Sequence, residues 1–420
     1  MISLATFSDI IFGFTLYYPI FMAYLWMAGA LIYYFHWERK ELHISSVYEE
    51  GGKQAAISIL VPCHNEGDNA RETIEQLLLQ NYPCFEIIAI NDASTDNTAE
   101  ILDQLAASHE QVRVIHFAEN MGKATALNMG AMASSNEFLI CIDGDALLDE
   151  EAANWMMRHF TNGPRVGAVT GNPRIRTRSS LLGKIQVGEF SAIIGLIKRA
   201  QRVYGRVFTV SGVVAGFRKS ALQRVGYWST DMITDDIDIS WKLQLDHWDI
   251  RFEPRAMCWI LMPETYSGLL RQRIRWAQGG VEVLIKYFKH LGVWKSRRMW
   301  MVYIEFITSV FWSYSIVATM LLWLSGLFFE LPQEIQVHSL LPSWGGVLLG
   351  VTCLIQFAIS LAIECHYEKD IWKYYFWMIW FPIAYWLVNV VAVFFGLPRA
   401  LFRKKGANAT WISPDRGIHE

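Results

Sequence analysis

The chain has 420 residues, enough for two or three domains, and its 53% hydrophobic content is high for a soluble protein. Aromatic residues make up 14% of the chain, including 18 tryptophans, whereas charged residues make up only 18%. The formal net charge of −3 gives no reason to expect nucleic acid as a partner.

Four apolar runs contain no Asp, Glu, Lys or Arg, and each is long enough to cross a bilayer, for which about 20 residues suffice. They cover residues 10–35, 306–329, 339–363 and 374–398. The first run is too long for a secretory signal and no basic residue precedes it, so we interpret it as a membrane span. Because Arg39 and Lys40 follow it closely, the positive-inside rule places the next region in the cytoplasm.

These runs predict a division into a transmembrane helix at 1–37, a cytosolic domain at 38–300, transmembrane helices at 301–400 and a tail at 401–420. Six cysteines without a CxxC pair suggest reduced thiols, which agrees with a cytosolic domain. Three spans after that domain would leave the tail outside, yet Arg403, Lys404 and Lys405 favour the cytoplasm. Either these charges are an exception or one run does not cross, and Pro382 makes the last run a candidate for a broken helix.

Strands and helices alternate in the first half of the polar region. Strands are predicted at 57–62, 85–90, 112–117 and up to residue 143, with helices at 69–80, 95–107 and 122–132. Alternation at this spacing predicts a parallel sheet in an open α/β fold. Ligands of such folds bind beyond the carboxyl ends of the strands.

Polar residues follow three of these strands. Glu66 comes after the first strand, Asp92 after the second, and Asp143-Gly144-Asp145 after the fourth. Two carboxylates around a glycine suit Mg²⁺ or Mn²⁺ that also contacts phosphate oxygens, although a solvated turn would use the same residues. Lys123 follows a flexible glycine and suits a phosphate-bearing ligand.

The second half of the polar region looks less regular. Two amphipathic helices are predicted near 182–205 and 268–290, and the first is rich in Arg and Lys. A basic amphipathic helix beside membrane spans is typical of a membrane interface, and binding of an anionic ligand is the alternative. Between them, Thr234-Asp235-Asp236 precedes an apparent helix, whose acidic first turn would stabilise the helix dipole.

The second of these helices contains Gln272-Arg273-Ile274-Arg275-Trp276. The face of Trp276 could stack on a sugar or a base, and Arg275 could bind phosphate oxygens with two hydrogen bonds. A tryptophan near a membrane is also explained by the interface itself. The pentapeptide alone therefore leaves both interpretations open.

Taken in order, these motifs resemble those of processive family-2 glycosyltransferases, the group that includes cellulose, chitin and hyaluronan synthases. The set is Asp92, Asp143-Gly144-Asp145, Thr234-Asp235-Asp236 and Gln272–Trp276. Residues 170–176, 184–189 and 411–417 narrow the resemblance to bacterial members that make β-1,6-linked poly-N-acetylglucosamine. The resemblance extends over nearly the whole chain from the first span onward.

The resemblance implies an α/β glycosyltransferase A-type (Rossmann-like) domain joined to α-helical transmembrane segments, with UDP-N-acetylglucosamine as donor. It assigns uridine to Asp92, the diphosphate to Asp143, and a divalent ion, Mg²⁺ or Mn²⁺, to Asp145 with Asp143. Asp236 would be the general base, while Asp235 stands where the family usually has Glu. The remaining candidate substrate-binding residues are Lys123, Glu66, Gln272, Arg275 and Trp276.

The implied activity is a membrane-embedded, inverting polysaccharide synthase of the bacterial inner membrane that also helps to export the growing chain. The resemblance further implies a small membrane subunit and activation by cyclic di-GMP, with Arg174 to Arg206 as a candidate anion site. Two alternatives are a single-sugar, lipid-linked glycosyltransferase and a nucleotide-binding receptor or transporter. The Gln272–Trp276 motif argues against the first, and the uncharged spans argue against the second.

Overall fold

The computed structural model describes residues 4–41, 54–337, 344–404, 406 and 409. Its centre is an eight-stranded sheet with the order β3-β2-β1-β4-β7-β6-β8-β5. The strands are β1 Ile57–Cys63, β2 Phe85–Asn91, β3 Val112–His116, β4 Phe138–Ile142, β5 Leu147–Leu148, β6 Val166–Ile175, β7 Val214–Arg218 and β8 Asp249–Ile260.

Fourteen α-helices are described around this sheet. They are α1 Leu4–Tyr33, α2 Arg39–Glu41, α3 Asp68–Leu78, α4 Thr98–Ser108, α5 Lys123–Ala133, α6 Ala152–Thr161, α7 Leu181–Glu189, α8 Lys198–Tyr204, α9 Lys219–Val225, α10 Asp235–Leu245, α11 Tyr266–Tyr287, α12 Trp300–Gly326, α13 Trp344–Glu364 and α14 Trp386–Phe402. π-helical segments cover Tyr34–Glu38, Phe190–Ile197 and Phe381–Tyr385. Segments of 3₁₀ helix cover Phe288–Gly292, Trp294–Met299, Gln333–Ile335 and Lys369–Trp380.

The central strands are buried on both faces, which explains their continuous apolar sequences. All seven residues of β1 are buried. Alternate residues point to opposite sides, so Ile59 packs in the cluster with α3 and α4, whereas Leu60 packs with α5, α9 and α10. The sheet is therefore sandwiched between two helical layers, and its carboxyl edge stays available for a site.

The parallel half of the sheet confirms the sequence prediction, but the sheet as a whole is mixed. Strands β3, β2, β1 and β4 run parallel, while β7 runs antiparallel to both of its neighbours, β4 and β6. The sequence of β7, Val-Ala-Gly-Phe-Arg, contains Ala and Gly, which have low strand propensity. For that reason it gave no strand signal.

Three helical stretches of the described residues are long and apolar enough to cross a membrane: Ser8–Glu41, Trp294–Gly326 and Trp344–Glu364. The start of the third predicted run, 339–343, lies outside the described residues. The fourth predicted run is not one helix, because it changes from 3₁₀ helix to π-helix around Phe381 before α14 begins. Pro382, which lacks a backbone N–H, lies at this break.

The first predicted amphipathic helix is continuous from α7 to α8, and its charged residues Glu189, Lys198 and Arg199 are buried. Arg199 is fully buried and pairs with Glu38 in the π-helical segment after α1 and with Glu364 at the end of α13. Arg174 of β6 pairs with the same Glu364. This buried network joins two of the long apolar helices to the sheet, because buried charges require partners of opposite sign.

Candidate active site

The loop after β2 is organised by Asp92, which is fully buried. Its two carboxylate oxygens accept the backbone N–H groups of Met121 at 2.7 Å and Gly122 at 2.8 Å. Gly122 has φ +84°, a conformation that favours glycine. Asp92 therefore holds the turn that begins α5, and its predicted contact with uridine stays a prediction.

Helix α5 begins with Lys123, which lies among carboxylates. Its Nζ donates to the Asp143 carboxylate and, at 2.9 Å, to the Gly212 carbonyl. Burial lowers the pKa of Lys123, but the charges of Asp143, Asp235 and Asp236 outweigh burial and raise it. The lysine is thus held protonated where the strand ends meet α10.

The turn after β4 brings Asp143 and Asp145 to one side of the sheet. Burial raises the pKa of the Cys258 thiol on β8, and the charges of Asp143 and Asp145 raise it further, so both carboxylates lie near this residue. A Cβ on Gly144 would lie 3.0 Å from Cγ of Glu66, which is buried. Asp143, Asp145 and Glu66 therefore lie around Gly144 at the carboxyl edge of the sheet, and their predicted contacts with a metal ion or the donor stay predictions.

Helix α10 begins with two half-buried carboxylates, Asp235 and Asp236. Burial raises the pKa of Asp235, and burial together with the charge of Asp235 raises the pKa of Asp236 to about 6. Asp236 Oδ1 accepts the Ile237 N–H at 2.9 Å. A Cβ on Gly212 would lie 3.1 Å from Asp236 Oδ2, so the loop before β7 packs directly on this carboxylate.

Helix α11 carries the last of the four motifs, Gln272–Trp276. It is capped by Thr265, whose Oγ1 accepts the Gly268 N–H at 3.1 Å. Arg275 is exposed, and its charge lowers the pKa of both Asp235 and Asp236. Gln272 has a buried Oε1 without a hydrogen-bond partner among the described residues, so this oxygen keeps an unused acceptor capacity.

Trp276 is held by a residue whose role the sequence did not indicate. The guanidinium of Arg273 lies 4.3 Å from the Trp276 ring centroid and donates to Glu189 at 2.6 Å and to Tyr385 at 2.9 Å. Arg273 is buried while Arg275 is exposed, because the two residues lie on different faces of the helix. The helical period could have separated their roles, but not named the partners.

A second missed residue is Lys198 at the start of α8. It is buried and donates to Thr170 Oγ1 at 2.8 Å. Burial lowers its pKa to about 7, and the nearby Asp236 partly opposes that change. Asp238, by contrast, faces away from this cluster and accepts from Lys286 at 2.8 Å and Tyr287 at 2.9 Å, so it joins α10 to α11.

The residues fit a divalent ion only if the substrate completes its coordination. The described residues contain no group of three or more His, Cys, Asp or Glu side chains that could hold a metal ion. Asp143 and Asp145 would supply two carboxylates, and Asp143 also contacts Lys123. Mg²⁺ commonly binds through one or two carboxylates together with substrate phosphates and water, so the pair suits a metal that arrives with a diphosphate.

The chain is similar to known proteins over nearly its whole length. Residues 58–226 match the family model for glycosyl transferase family 2. The chain is 42% identical over 413 residues to the poly-β-1,6-N-acetyl-D-glucosamine synthase of Staphylococcus epidermidis, covering 97% of this chain and 98% of that protein. The synthase of the same name from Staphylococcus aureus strain MSSA476 is also 42% identical, over 411 residues, with the same coverage.

The chain belongs to the poly-β-1,6-N-acetyl-D-glucosamine synthases. It is thus a glycosyltransferase of family 2, which confirms the family that the motif order predicted. A mannosyltransferase from Pyrobaculum calidifontis, solved in complex with GDP-mannose and Mn²⁺, has a TM-score of 0.56 and 18% identity, and the match covers 92% of this chain and 99% of that one. At this identity the likeness establishes the glycosyltransferase fold alone.

In this synthase several of the predicted site residues lie close to Lys123. The charges of Asp143, Asp235 and Asp236 raise the pKa of Lys123, and the charges of Lys123 and Arg275 act to lower the pKa values of Asp235 and Asp236. Asp92 accepts hydrogen bonds from the turn before α5, and Glu66 packs beside Gly144. The ligand contacts of both residues stay predictions. The segment 411–417, which helped to narrow the resemblance, lies outside the described residues.

Proposed function

We propose that this protein polymerises N-acetylglucosamine from UDP-N-acetylglucosamine into a β-1,6-linked exopolysaccharide. The observation that carries the proposal is the convergence of Asp235 and Asp236 with Lys123 and Arg275 at the carboxyl edge of the sheet. Transfer of a sugar from a nucleotide diphosphate requires a base for the acceptor and positive charge for the leaving group. This cluster supplies both.

Asp236 is the general base of the proposed reaction. The acceptor hydroxyl oxygen attacks the anomeric carbon while its proton passes to the Asp236 carboxylate. The bond from that carbon to the diphosphate breaks, and its electron pair leaves with UDP. A single displacement inverts the configuration, so an α-linked donor gives a β-linked product. The pKa of about 6 leaves Asp236 ionised at neutral pH and still basic enough to accept a proton.

The charge that develops on the leaving diphosphate is offset by Lys123 and Arg275. Lys123 is already fixed between Asp143 and the Gly212 carbonyl, so little reorganisation is needed when the donor binds. Arg275 is exposed and can form two hydrogen bonds to phosphate oxygens. A Mg²⁺ or Mn²⁺ ion held by Asp145 and Asp143 would add Lewis-acid stabilisation of the same charge.

The acceptor end of the site would be formed by Gln272 and Trp276. The unpartnered Oε1 of Gln272 can accept a hydrogen bond from a sugar hydroxyl. Trp276 is kept in place by Arg273, so its ring offers a rigid platform for the last sugar of the chain. Because α11 packs against α14, the growing polymer would leave from a site already beside apolar helices.

Cell-level features of the proposal rest on the resemblance and on the three apolar helices. They are a multi-pass position in the bacterial inner membrane, a small membrane subunit, and activation by cyclic di-GMP. The sequence predicted an anion site between Arg174 and Arg206. Glutamates already pair with Arg174, Arg178 and Arg199, which makes these three arginines poor ligands for a further anion. Cyclic di-GMP would need other residues.

Product analysis tests this function. Full-length protein in liposomes is supplied with UDP-N-acetylglucosamine or UDP-glucose and a divalent ion, and the product is sized and digested with a hydrolase specific for β-1,6-linked N-acetylglucosamine. We expect long, digestible chains from UDP-N-acetylglucosamine only. Transfer of a single sugar to lipid, or polymer from UDP-glucose alone, would contradict the proposal.

A further inference from the structure

Three arginines surround a single carboxylate where α8 meets the start of β8. Arg202 Nη1 lies 3.0 Å from Asp249 Oδ1, Arg206 Nη1 lies 3.6 Å from the same oxygen, and Arg251 Nε lies 3.5 Å from Oδ2. Within the described part of the chain, no other carboxylate lies within ion-pair distance of these three guanidinium groups. We call Arg202, Arg206 and Arg251 the arginine cluster.

Part of the hydrogen-bonding capacity of the arginine cluster is unused, although Arg202 Nη1 donates to the Ile250 carbonyl at 2.6 Å and Arg206 Nη1 donates to the Trp248 carbonyl at 3.0 Å. Arg206 is buried, and its Nε has no hydrogen-bond partner in the part of the chain that the structure describes. Its pKa is lowered by burial and by the positive charges of Arg298, Arg202 and Arg165, although Asp249 opposes this. Arg251 contacts only Asp249 among the acidic residues, and its side chain is 34% exposed. Three guanidinium groups share one carboxylate, so the cluster carries excess positive charge that a bound anion would neutralise.

A cavity of about 290 Å³ adjoins the cluster. Arg202 and Arg251 form one part of its wall, and Tyr33, Trp37 and Phe252 form another. Three glutamates also line it, but each is already paired with an arginine. An incoming anion would therefore meet the arginine side of the cavity.

The cavity lies at the level expected for lipid headgroups. It adjoins the cytosolic end of α1, where Phe35 and Trp37 are about half exposed. Tryptophan and tyrosine concentrate at this depth because their rings are apolar and their polar atoms reach water. Arg298, whose charge acts on Arg206, stands just before membrane helix α12.

We propose that the arginine cluster and this cavity bind the phosphodiester headgroup of an anionic phospholipid from the cytosolic leaflet. Guanidinium groups bind phosphate oxygens with paired hydrogen bonds, and the aromatic wall lies beside the glycerol and the first acyl carbons. A soluble cyclic dinucleotide carries the same phosphodiester group. The half-exposed rings at the end of α1 favour the lipid, because they extend the site toward the bilayer.

Thermal unfolding in neutral detergent micelles tests the proposal. Full-length wild type is titrated with phosphatidylglycerol or with zwitterionic phosphatidylcholine, and each titration is repeated for Arg251→Gln. Arg224→Gln is the matched control, because Arg224 also pairs with one aspartate, Asp246 at 2.6 Å, and its side chain is 66% exposed. We expect phosphatidylglycerol alone to raise the Tm, with at least a fivefold weaker apparent affinity in Arg251→Gln and no change in Arg224→Gln.

Equal responses to the two lipids, or equal affinity for phosphatidylglycerol in wild type and Arg251→Gln, would overturn the proposal. If Arg251→Gln does not fold, Arg202→Lys provides the same comparison. This variant keeps the positive charge but loses the planar guanidinium group that binds phosphate with two hydrogen bonds, so it should also bind phosphatidylglycerol more weakly. Cyclic di-GMP and inorganic phosphate are added separately without lipid. The lipid assignment would be refuted if cyclic di-GMP or phosphate raised the Tm of wild type but not of Arg251→Gln, while phosphatidylglycerol raised neither.

Discussion

Asp236 combines three features that suit a general base. Its Oδ1 is oriented by the Ile237 N–H, its Oδ2 packs against Gly212, and its pKa is raised to about 6 by burial and by Asp235. Adjacent residues in the first turn of a helix point about 100° apart, so Asp235 and Asp236 cannot both face one acceptor. Asp235 then influences the reaction mainly through its charge.

The effect of the Asp235 charge on Asp236 should appear in the pH dependence of the reaction. Below about pH 6 the base is protonated, so kcat/KM should fall about tenfold per pH unit in wild type. Asp235→Asn removes a negative neighbour that raises the pKa of Asp236, so the acid limb should move to lower pH. Asp246→Asn, at the other end of α10, should leave it in place. An unchanged acid limb in Asp235→Asn would exclude this coupling.

Asp145 is predicted to hold the divalent ion together with Asp143. Asp145→Ala should weaken UDP binding in Mn²⁺ at least tenfold and leave the weak, metal-free binding unaltered, because the metal joins the carboxylate to the diphosphate. Isothermal titration of UDP with and without chelator measures both values. Asp103→Ala, at an exposed aspartate paired with His116, is the control. Full metal-dependent affinity in Asp145→Ala would remove this residue from the metal site.

At the scale of elements, the site depends on the close packing of α11 against the turn before α10. A Cβ on Gly279 would overlap Thr234 Oγ1 and lie 2.8 Å from Thr234 Cβ. Thr234 directly precedes Asp235, so any displacement here moves the carboxylates relative to Gln272 and Arg275. Glycine at 279 is therefore required by contact and not by backbone conformation.

Gly279→Ala should lower polymer synthesis at least tenfold while the protein remains folded. Gly292→Ala is the matched control, because no atom lies within 4 Å of a Cβ at that position. Initial rates from UDP-N-acetylglucosamine, with thermal unfolding as a check on folding, provide the comparison. If Gly279→Ala matched wild type, the contact between α11 and Thr234 would have no functional importance.

The elements that the sequence predicted well are those with strong local signals. Strands β1, β2 and β4 are apolar runs buried on both faces, and polar residues mark their carboxyl ends. Strand β7 contains Ala and Gly, and β8 alternates buried and half-buried residues with Pro254 inside, so neither gave a clear signal. Their placement depends on tertiary packing.

The sequence indicated which residues to expect in the site, but not the residues that hold them in position. Asp143 follows a strand, and Asp235 and Asp236 begin a helix, so local patterns place them at the sheet edge, whereas Arg275 lies in the middle of α11 and was assigned to the site only by the resemblance. Local patterns could not pair Glu189 with Arg273, which are 84 residues apart, or Glu364 with Arg199, which are 165 apart. Long-range ion pairs leave no local pattern in one sequence.

At the scale of the whole molecule, the contacts of the last helix bear on membrane topology. Beyond α14, Arg403 donates to the Asp231 carbonyl and to Glu282, each at 2.7 Å. The Ala409 N–H donates to the Thr230 carbonyl at 3.0 Å. Before α14, Tyr385 contacts Arg273. Both ends of α14 therefore lie beside α11 or the turn before α10, and three helices that could span a membrane remain among the described residues.

With three spans, the residues after α14 are expected in the cytoplasm, where Arg403 and Lys404 satisfy the positive-inside rule. A green fluorescent protein fused to the carboxyl end should fluoresce in cells, and an alkaline phosphatase fusion should be inactive. The same fusions placed after Gly326, at the far end of α12, should give the opposite pattern. Active phosphatase at the carboxyl end would require α14 to cross the membrane.

The most direct test of the proposed active site compares Asp236→Asn with Asp235→Asn in full-length protein, measuring polymer formation and UDP affinity in parallel. Loss of a general base typically costs about 100- to 10,000-fold in rate. We predict a loss of that size for Asp236→Asn, with UDP affinity unchanged, and a smaller loss for Asp235→Asn. An inactive Asp235→Asn beside an active Asp236→Asn, or loss of UDP binding in both, would contradict the assignment of the base.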